Sequence, residues 1–451
     1  MINSIALPDT LAATIGADHI QTDPTALAEA AIDGVTPGLI VRPGDDETVA
    51  ETLAWANSQG LTVVPRGAGT TLGLGEPPRR ADLVLDLSRL NRVLEYEPAD
   101  LTVTVQAGVT LGQLQQVLGE RRQWLPLDPP GGAKRTIGGL VATGASGPHR
   151  LGFGTPRDLL IGLRIAQADG MLYRGGAKVV KSVAGYDLPK LFVGSLGTLG
   201  VVVEATFKLQ PLPRLWGTLA VICPSLDAAG HLAGQVLTSS MTPVALCILD
   251  MGAVRQALFR VPDLVPPDTE TLLLARFGGI PPAVERQLRE LGQLAQRVGG
   301  APRPVEADAE LWTTLADLPL DMTARRALRF KNAVLPSRVT EAMKAAQAVA
   351  RDHGLPVGQL AYAGADVVLT TMRGFGEEES LHGRLVQAGQ ALRARLADLG
   401  GTCVVEHAPT AIKTAIGVWG PTRSDFRLMQ SLKTQFDPQG TLNPGRFVGG
   451  L

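Results

Sequence analysis

Aromatic side chains and an excess of charge of either sign are what this chain has least of. Phe, Trp and Tyr make up 4% of its 451 residues, and 42 Lys and Arg stand against 43 Asp and Glu. A formal net charge of −1 leaves no electrostatic footprint for nucleic acid or for direct contact with an anionic membrane surface. Cysteine is scarce as well. Cys223, Cys247 and Cys403 lie far apart, and none belongs to a CxxC pair. That spacing excludes a disulfide framework, a zinc centre or an iron–sulfur cluster built from this chain alone, and buried thiols are expected. The N-terminal run MINSIALPDTLAATIGADHI has neither the basic start nor the apolar core of a secretory signal. Residues 228 to 249 are uncharged, yet they carry His231, Gln235, Ser239, Ser240 and Pro243, which a membrane span would not carry. The expectation is a cytoplasmic protein, at most peripheral at the inner membrane through partners.

What is abundant is glycine and proline, 52 and 32 residues. Much of the backbone must turn tightly. From residue 38 the pattern is strand, helix, strand: GLIVRP, a helix capped by Asp45 or Asp46, a stop at Gly60, then LTVVP. The chain next enters Arg66, Gly67, Ala68, Gly69, Thr70 and Thr71, a loop too rich in glycine to be ordinary punctuation. Strands follow at ADLVLDL, RVLEYE and LTVTVQAG, with a helix over 110 to 121. LLIGLRIAQADGMLYRGG predicts a hairpin with a type I′ turn at Asp169-Gly170. The strand in GTLGVVVEATFKLQPLP closes this part, and a boundary is placed near residue 214.

Beyond it, strands at 215–223, 243–250, 270–277, 327–335 and 356–373 alternate with helices at 281–298, 337–352 and 377–399. Leu381, Leu385, Leu392, Leu396 and Leu399 step at helical spacing before Gly400-Gly401. The expected architecture is α+β: an N-terminal segment 1–37, a two-lobed domain 38–213, and a cap domain 214–430 built as one antiparallel sheet with helices on one face. The tail 431–451 is again Gly/Pro-rich and is expected to return to the first domain.

Consecutive amides in a glycine-rich turn after a strand can form an anion-binding nest, so residues 66–71 are a candidate pyrophosphate cradle, with Arg66 as added charge. Gly67, Gly69 and Gly73 do not match GxGxxG, and no GxxxxGK[ST] occurs. TIGGLVATGASG (136–147) and VGSLGTLGVV (193–202) repeat the chemistry of small residues beside hydroxyls. A long ligand such as FAD needs a cradle of this extent.

PRGAGT at 65–70, TIGGLVATGASGP at 136–148, KVVKSVAGYDLPKLFVGSLGTLGVVVEATFKL at 178–209 and FDPQGTLNPGRF at 436–447 resemble the PCMH-type FAD-binding flavoproteins, the vanillyl-alcohol oxidase and p-cresol methylhydroxylase superfamily. Within it the likeness is to the E-type FAD-binding subunits of bacterial glycolate dehydrogenases. The resemblance implies that Arg66 to Thr71 surround the FAD pyrophosphate. It implies that Thr136, Gly138, Gly139, Ala142, Gly144 and Gly147 run beside pyrophosphate and isoalloxazine, and that Gly197, Gly200, Val201 and Val202 close the adenosine side. Asn443 matches the family's C-terminal motif near the flavin, and Lys181, Tyr186 and Asp187 are open between packing roles and contact with the ring. Covalent members attach flavin through His or Cys in such loops; 64–75 and 136–147 have neither, and the one nearby candidate is His149. Non-covalent FAD is expected.

Oxidising a 2-hydroxy acid needs a base, a cation for the carboxylate and a hydride acceptor. Glu406-His407 resemble the family's Glu-His pair, and Arg329 and Lys331, at alternate strand positions, resemble the basic residues that meet the substrate carboxylate. Catalytic candidates are therefore His407, Arg329 and Lys331, against structural and solvated-face readings of the same residues. Gln359 and Asp366 stand where the family's cap stretch would supply two His ligands, so no metal site is assigned. The resemblance implies glycolate oxidation beside a homologous D-type flavoprotein subunit and an F-type iron–sulfur subunit. An autonomous D-2-hydroxy acid dehydrogenase or oxidase, and a silent FAD-binding scaffold, are the alternatives.

Overall fold

The computed structural model describes residues 7–176, 187–257, 271–318, 327–374 and 378–451; Lys181 and Tyr186 lie outside the described residues. The first half carries two sheets. β1 (Ile20–Gln21), β2 (Leu39–Val41), β3 (Val63–Arg66) and β4 (Leu83–Asp86) form one in the order β1-β2-β4-β3, with β4 parallel to both β2 and β3. β5 (Val93–Glu97), β6 (Thr102–Gln106), β8 (Leu160–Ala166), β9 (Leu172–Gly176) and β10 (Val201–Lys208) form the other, antiparallel, in the order β5-β6-β10-β8-β9. β7 (Gln123–Trp124) pairs with β11 (Gln210–Pro211).

Local rules explain the first elements. The Asp45 carboxylate accepts from Thr48 N at 2.8 Å and starts the helix Asp46–Ser58, and Gly60 turns out of it at φ +64°. The β8–β9 hairpin forms, but not through a type I′ turn. Gly170 has positive φ and Asp169 does not, while Gly170 N bonds Gln167 O and Gln167 N bonds Met171 O. Alanine and aspartate take the ordinary turn, and glycine alone supplies the left-handed residue that follows.

The second half is one antiparallel sheet. β12 (Leu215–Cys223), β13 (Ala245–Leu249), β14 (Thr271–Gly279), β15 (Ala301–Val305), β16 (Ala327–Ala333), β17 (Val357–Tyr362), β18 (Val367–Arg373) and β19 (Thr402–His407) stand in the order β15-β12-β14-β13-β17-β18-β16-β19. The stretch 356–373 is thus a hairpin, turning at Gly364 and Asp366, both with positive φ. β15 tolerates Pro302 and Pro304 because it is an edge strand.

Helices cover more than the single face expected. Leu226–Leu237, Pro281–Arg297, Val339–Asp352 and Glu378–Asp398 pack on one side, the last burying Leu381, Leu385, Leu392 and Leu396 completely. Each such leucine stabilises the fold by about 2 kcal/mol. Met251–Ala257 and Asp308–Asp317 cover part of the other side, through Val254, Leu311, Trp312 and Leu315. The rest of that side faces the first half. No helix among the described residues is long and apolar enough to cross a membrane.

The tail passes back across β3: Val63 N donates to Thr441 O at 2.7 Å and Asn443 N to Val63 O at 3.0 Å. Lys433 fastens it further by donating to Asp437, Leu442 O and Thr198 O.

Candidate functional site

β3 ends at Arg66, whose guanidinium pairs with Asp86 on the adjacent parallel strand at 2.7 Å. Burial alone would raise the Asp86 pKa, yet hydrogen bonds from Arg66 and Ser88 bring it below the usual value. Arg66 is thereby occupied, and the loop it opens presents backbone rather than an unclaimed charge. Gly67 passes so close to Thr136 that a Cβ there would sit 2.0 Å from its hydroxyl oxygen.

Arg66, Gly67, Ala68, Gly69, Thr70, Thr71, Thr136, Gly139, Ala142, Asn443 and Arg446 line a cavity of about 80 Å3. Thr71, Leu74, Thr143 and Leu196 line both it and a larger cavity of about 300 Å3, so the two are parts of one groove. Gly197, at φ +70°, lines neither cavity but lies against Pro65 and Asn443, which line the smaller one.

Other glycines of the same runs serve packing. Gly138 abuts Ala107, Gly147 abuts Asp128, and Gly200 abuts Ile165 and Phe192. Gly144 caps the helix Ile137–Thr143, and Val201 and Val202 are buried in β10. None of these six lines either cavity.

The groove is polar where the protein itself does not satisfy it. Asn443 donates to Leu196 O at 2.6 Å, leaving its Oδ1 buried and unbonded. Arg446 donates to the carbonyls of Leu72 and Leu74, leaving Nε unbonded, and Ser146 Oγ on the larger cavity is likewise unbonded. Orphaned groups of both polarities beside an amide-lined loop fit a dinucleotide with pyrophosphate and ring heteroatoms. The residues present therefore fit FAD.

The larger cavity lies between the two halves. Its second wall is the uncovered face of the eight-stranded sheet: Arg329, Lys331 and Ala333 from β16, Tyr362 from β17, Val367 and Leu369 from β18, and Thr402, Val404 and Glu406 from β19. Arg329 and Lys331 thus share one face, as alternation requires. Opposite them is Arg135, 1% exposed, held by Pro130 O at 3.0 Å and Thr143 Oγ1 at 3.2 Å. Burial lowers its pKa to about 10, while Glu406 and then Asp317 act to raise it. Arg135 and Tyr362 were not singled out from sequence. The only signal for Arg135 was a lone arginine inside the Gly/Pro-rich run 128–147.

β19 carries a bulge. Phe330 faces Val405 and Arg329 faces His407, so Glu406 is the extra residue, at a place where bulges commonly re-aim side chains. Glu406 lines the cavity and His407 does not. Burial first, then Arg329 and Lys413, lowers the His407 pKa to about 4, so the imidazole is neutral at pH 7. Gln359 is fully buried and Asp366 is exposed at the hairpin turn; neither lines the cavity. The described residues hold no cluster of three or more His, Cys, Asp or Glu, and the donor set around Glu406 does not fit a metal ion. His149 is stacked against Trp216 at 5.7 Å and bonded to Arg276, and it lines neither cavity.

Comparison with known proteins agrees with this anatomy. Residues 37–176 match the FAD binding domain family, and residues 212–447 match the C-terminal domain of FAD linked oxidases. The chain is 30% identical to the glycolate oxidase subunit GlcD of Bacillus subtilis (strain 168), across 91% of this chain and 88% of that protein. It is 29% identical to a D-lactate dehydrogenase of Archaeoglobus fulgidus, across 92% of each. Among solved structures, p-cresol methylhydroxylase superposes with a TM-score of 0.76 at 17% identity, covering 99% of this chain and 97% of that one.

Proposed function

This chain belongs to the FAD linked oxidases and is an FAD-dependent oxidoreductase, and from that premise we propose that it oxidises a small 2-hydroxy acid at the face of the eight-stranded sheet. One observation carries the reading: three cationic side chains, Arg135, Arg329 and Lys331, line a cavity that continues the glycine groove. Cations in a partly dry site hold a carboxylate and fix its orientation.

Residues 66–71 with Asn443 and Arg446 would hold the diphosphate portion of FAD, and Thr143, Ser146 and Leu196 the ring portion. FAD, when bound, supplies the two-electron acceptor. Arg329 and Lys331 hold the acid's carboxylate. The Glu406-His407 pair is the candidate acceptor of the hydroxyl proton: Glu406 lines the cavity, and His407, adjacent in sequence and kept neutral, lies off its lining. Among the described residues no His or Cys lines either cavity, which supports non-covalent flavin.

The similarity to a glycolate oxidase subunit supports glycolate as a substrate and a place within a complex. The place of this chain as an E-type subunit beside a D-type flavoprotein rests on the sequence resemblance alone, the similar glycolate oxidase subunit being itself a GlcD. Electrons leave through a separate iron–sulfur subunit, since Cys223, Cys247 and Cys403 are all buried and remote from one another in sequence. A second reading is favoured by His407 lying off the cavity lining and by the missing metal donors: a chain that binds FAD while a homologous partner does the chemistry. Anaerobic mixing of the flavin-loaded chain with glycolate or D-lactate separates them. Bleaching by the chain alone, or only with partners present, supports oxidation here; a flavin that never bleaches in either setting supports the scaffold.

A further inference from the structure

We infer that the hydroxyl of Tyr362 is a substrate-contacting group, donating a hydrogen bond to the anionic end of the acid held by Arg329 and Lys331. This rests on the reading of the cavity as a hydroxy-acid site and names a residue that nothing in the family resemblance or the comparisons supplies.

Tyr362 ends β17, where it is paired with Val367 on one side and Cys247 on the other. The side chain is 2% exposed, lines the larger cavity, and its Oη finds no hydrogen-bond partner among the described residues. Phenol hydroxyls are seldom buried without an acceptor, because the lost bond to water is not replaced. Its strand neighbours Leu360, Val367 and Leu369 are apolar, and the paired Cys247 has only a weakly accepting sulfur, to which Oη is not bonded.

The buried carboxylate of Asp128 accepts from His149 N at 2.9 Å through Oδ2, and its unbonded Oδ1 makes no hydrogen bond to the phenol. Glu406 acts on the phenol through space without a bond. Burial first, then Cys247, Asp128 and Glu406, pushes the Tyr362 pKa well above its ordinary value, so the hydroxyl keeps its proton and is available to donate. With no acceptor bonded to it in the protein, the hydroxyl on the cavity wall can donate to a ligand, and the cationic neighbours on the same wall select an anionic oxygen. A site built this way rejects neutral analogues, whose binding would leave buried donors unpaired.

The test uses the full-length, flavin-loaded chain titrated with oxalate and with its neutral analogue oxamide, read as a perturbation of the flavin absorbance. In the wild type, oxalate is expected to bind and oxamide not. Tyr362→Phe, which removes one oxygen and retains the ring, is expected to keep its full flavin content and to bind oxalate about tenfold more weakly, the scale of a hydrogen bond to a charged group. Tyr362→Leu checks the same point in a second variant, with the same direction expected. Equal oxalate affinity in wild type and Tyr362→Phe would overturn the assignment while leaving the hydroxy-acid reading intact. Loss of flavin from Tyr362→Phe would also overturn it, transferring the hydroxyl to the cofactor. A wild type that responds to no acid at all, neither by perturbation nor by bleaching, would remove the hydroxy-acid reading and the assignment together.

Discussion

Arg276 of the eight-stranded sheet and His149 of the first half meet at 2.8 Å, Nη1 against Nε2. The same guanidinium lies 4.2 Å over the Trp216 ring and pairs with Asp308, and Trp124 and Phe153 pack edge-on around His149. Burial, then Arg276, lowers the His149 pKa to about 3, so its neutral ring accepts a hydrogen bond from the guanidinium, which keeps its charge. Arg276→Ala leaves Asp308 and the imidazole without their partner and is expected to destabilise the protein by about 3–5 kcal/mol, as for other buried pairs broken on one side. An unchanged denaturant midpoint for this variant would contradict the role of the contact.

The groove makes a prediction about colour. Gly67→Val would drive a side chain into Thr136, and Gly197→Val would place a β-branched residue at φ +70°. Both are expected to yield folded protein with little flavin, read as the ratio of visible to ultraviolet absorbance. Full flavin content in both would mean that the dinucleotide lies elsewhere.

Lys331→Met removes one of the cavity-lining cations without touching the glycine loops. The flavin content should stay unchanged while the concentration of hydroxy acid needed for half-maximal bleaching rises about tenfold. A loss of flavin without a change in that concentration would place Lys331 against the cofactor.

His407 also predicts a pH dependence. Its pKa is about 4 in the folded protein against 6.5 when unperturbed. Below 6.5 the unfolded chain takes up a proton that the folded chain refuses, so stability falls as pH drops from 6.5 toward 4. The contribution amounts to about 3 kcal/mol at most. His407→Gln should flatten that part of the stability profile, measured by urea unfolding at pH 4.5 and 7. A profile identical to wild type would show that the group titrates normally.

How far the sequence could be read follows from what each feature depends on. The loops at 66–71 and 136–147 were visible because close backbone approach demands small residues, and composition records that demand directly. Composition does not say what approaches. Gly67 and Gly139 meet the groove, whereas Gly138, Gly147 and Gly200 admit other parts of the protein, and the same residue type serves both ends. Arg329 and Lys331 were found by alternation along one strand. Tyr362 and Arg135 reach the same cavity only because β17 lies two strands from β16 and because the first half faces the sheet, relationships of high sequence separation that no local pattern encodes. The bulge at Glu406 was invisible for the same reason: it exists only relative to β16.

In the proposed reading, the cation-lined cavity continuing the glycine groove presents a hydroxy acid to flavin. Anaerobic spectra of the flavin-loaded wild type and of an Arg329→Met, Lys331→Met double variant, each mixed with glycolate or D-lactate in the presence of the partner subunits, test it most directly. The wild-type flavin of this chain should bleach, and that of the double variant should keep its oxidised spectrum at equal flavin content. Equal bleaching in both, or none in either, would contradict the claim.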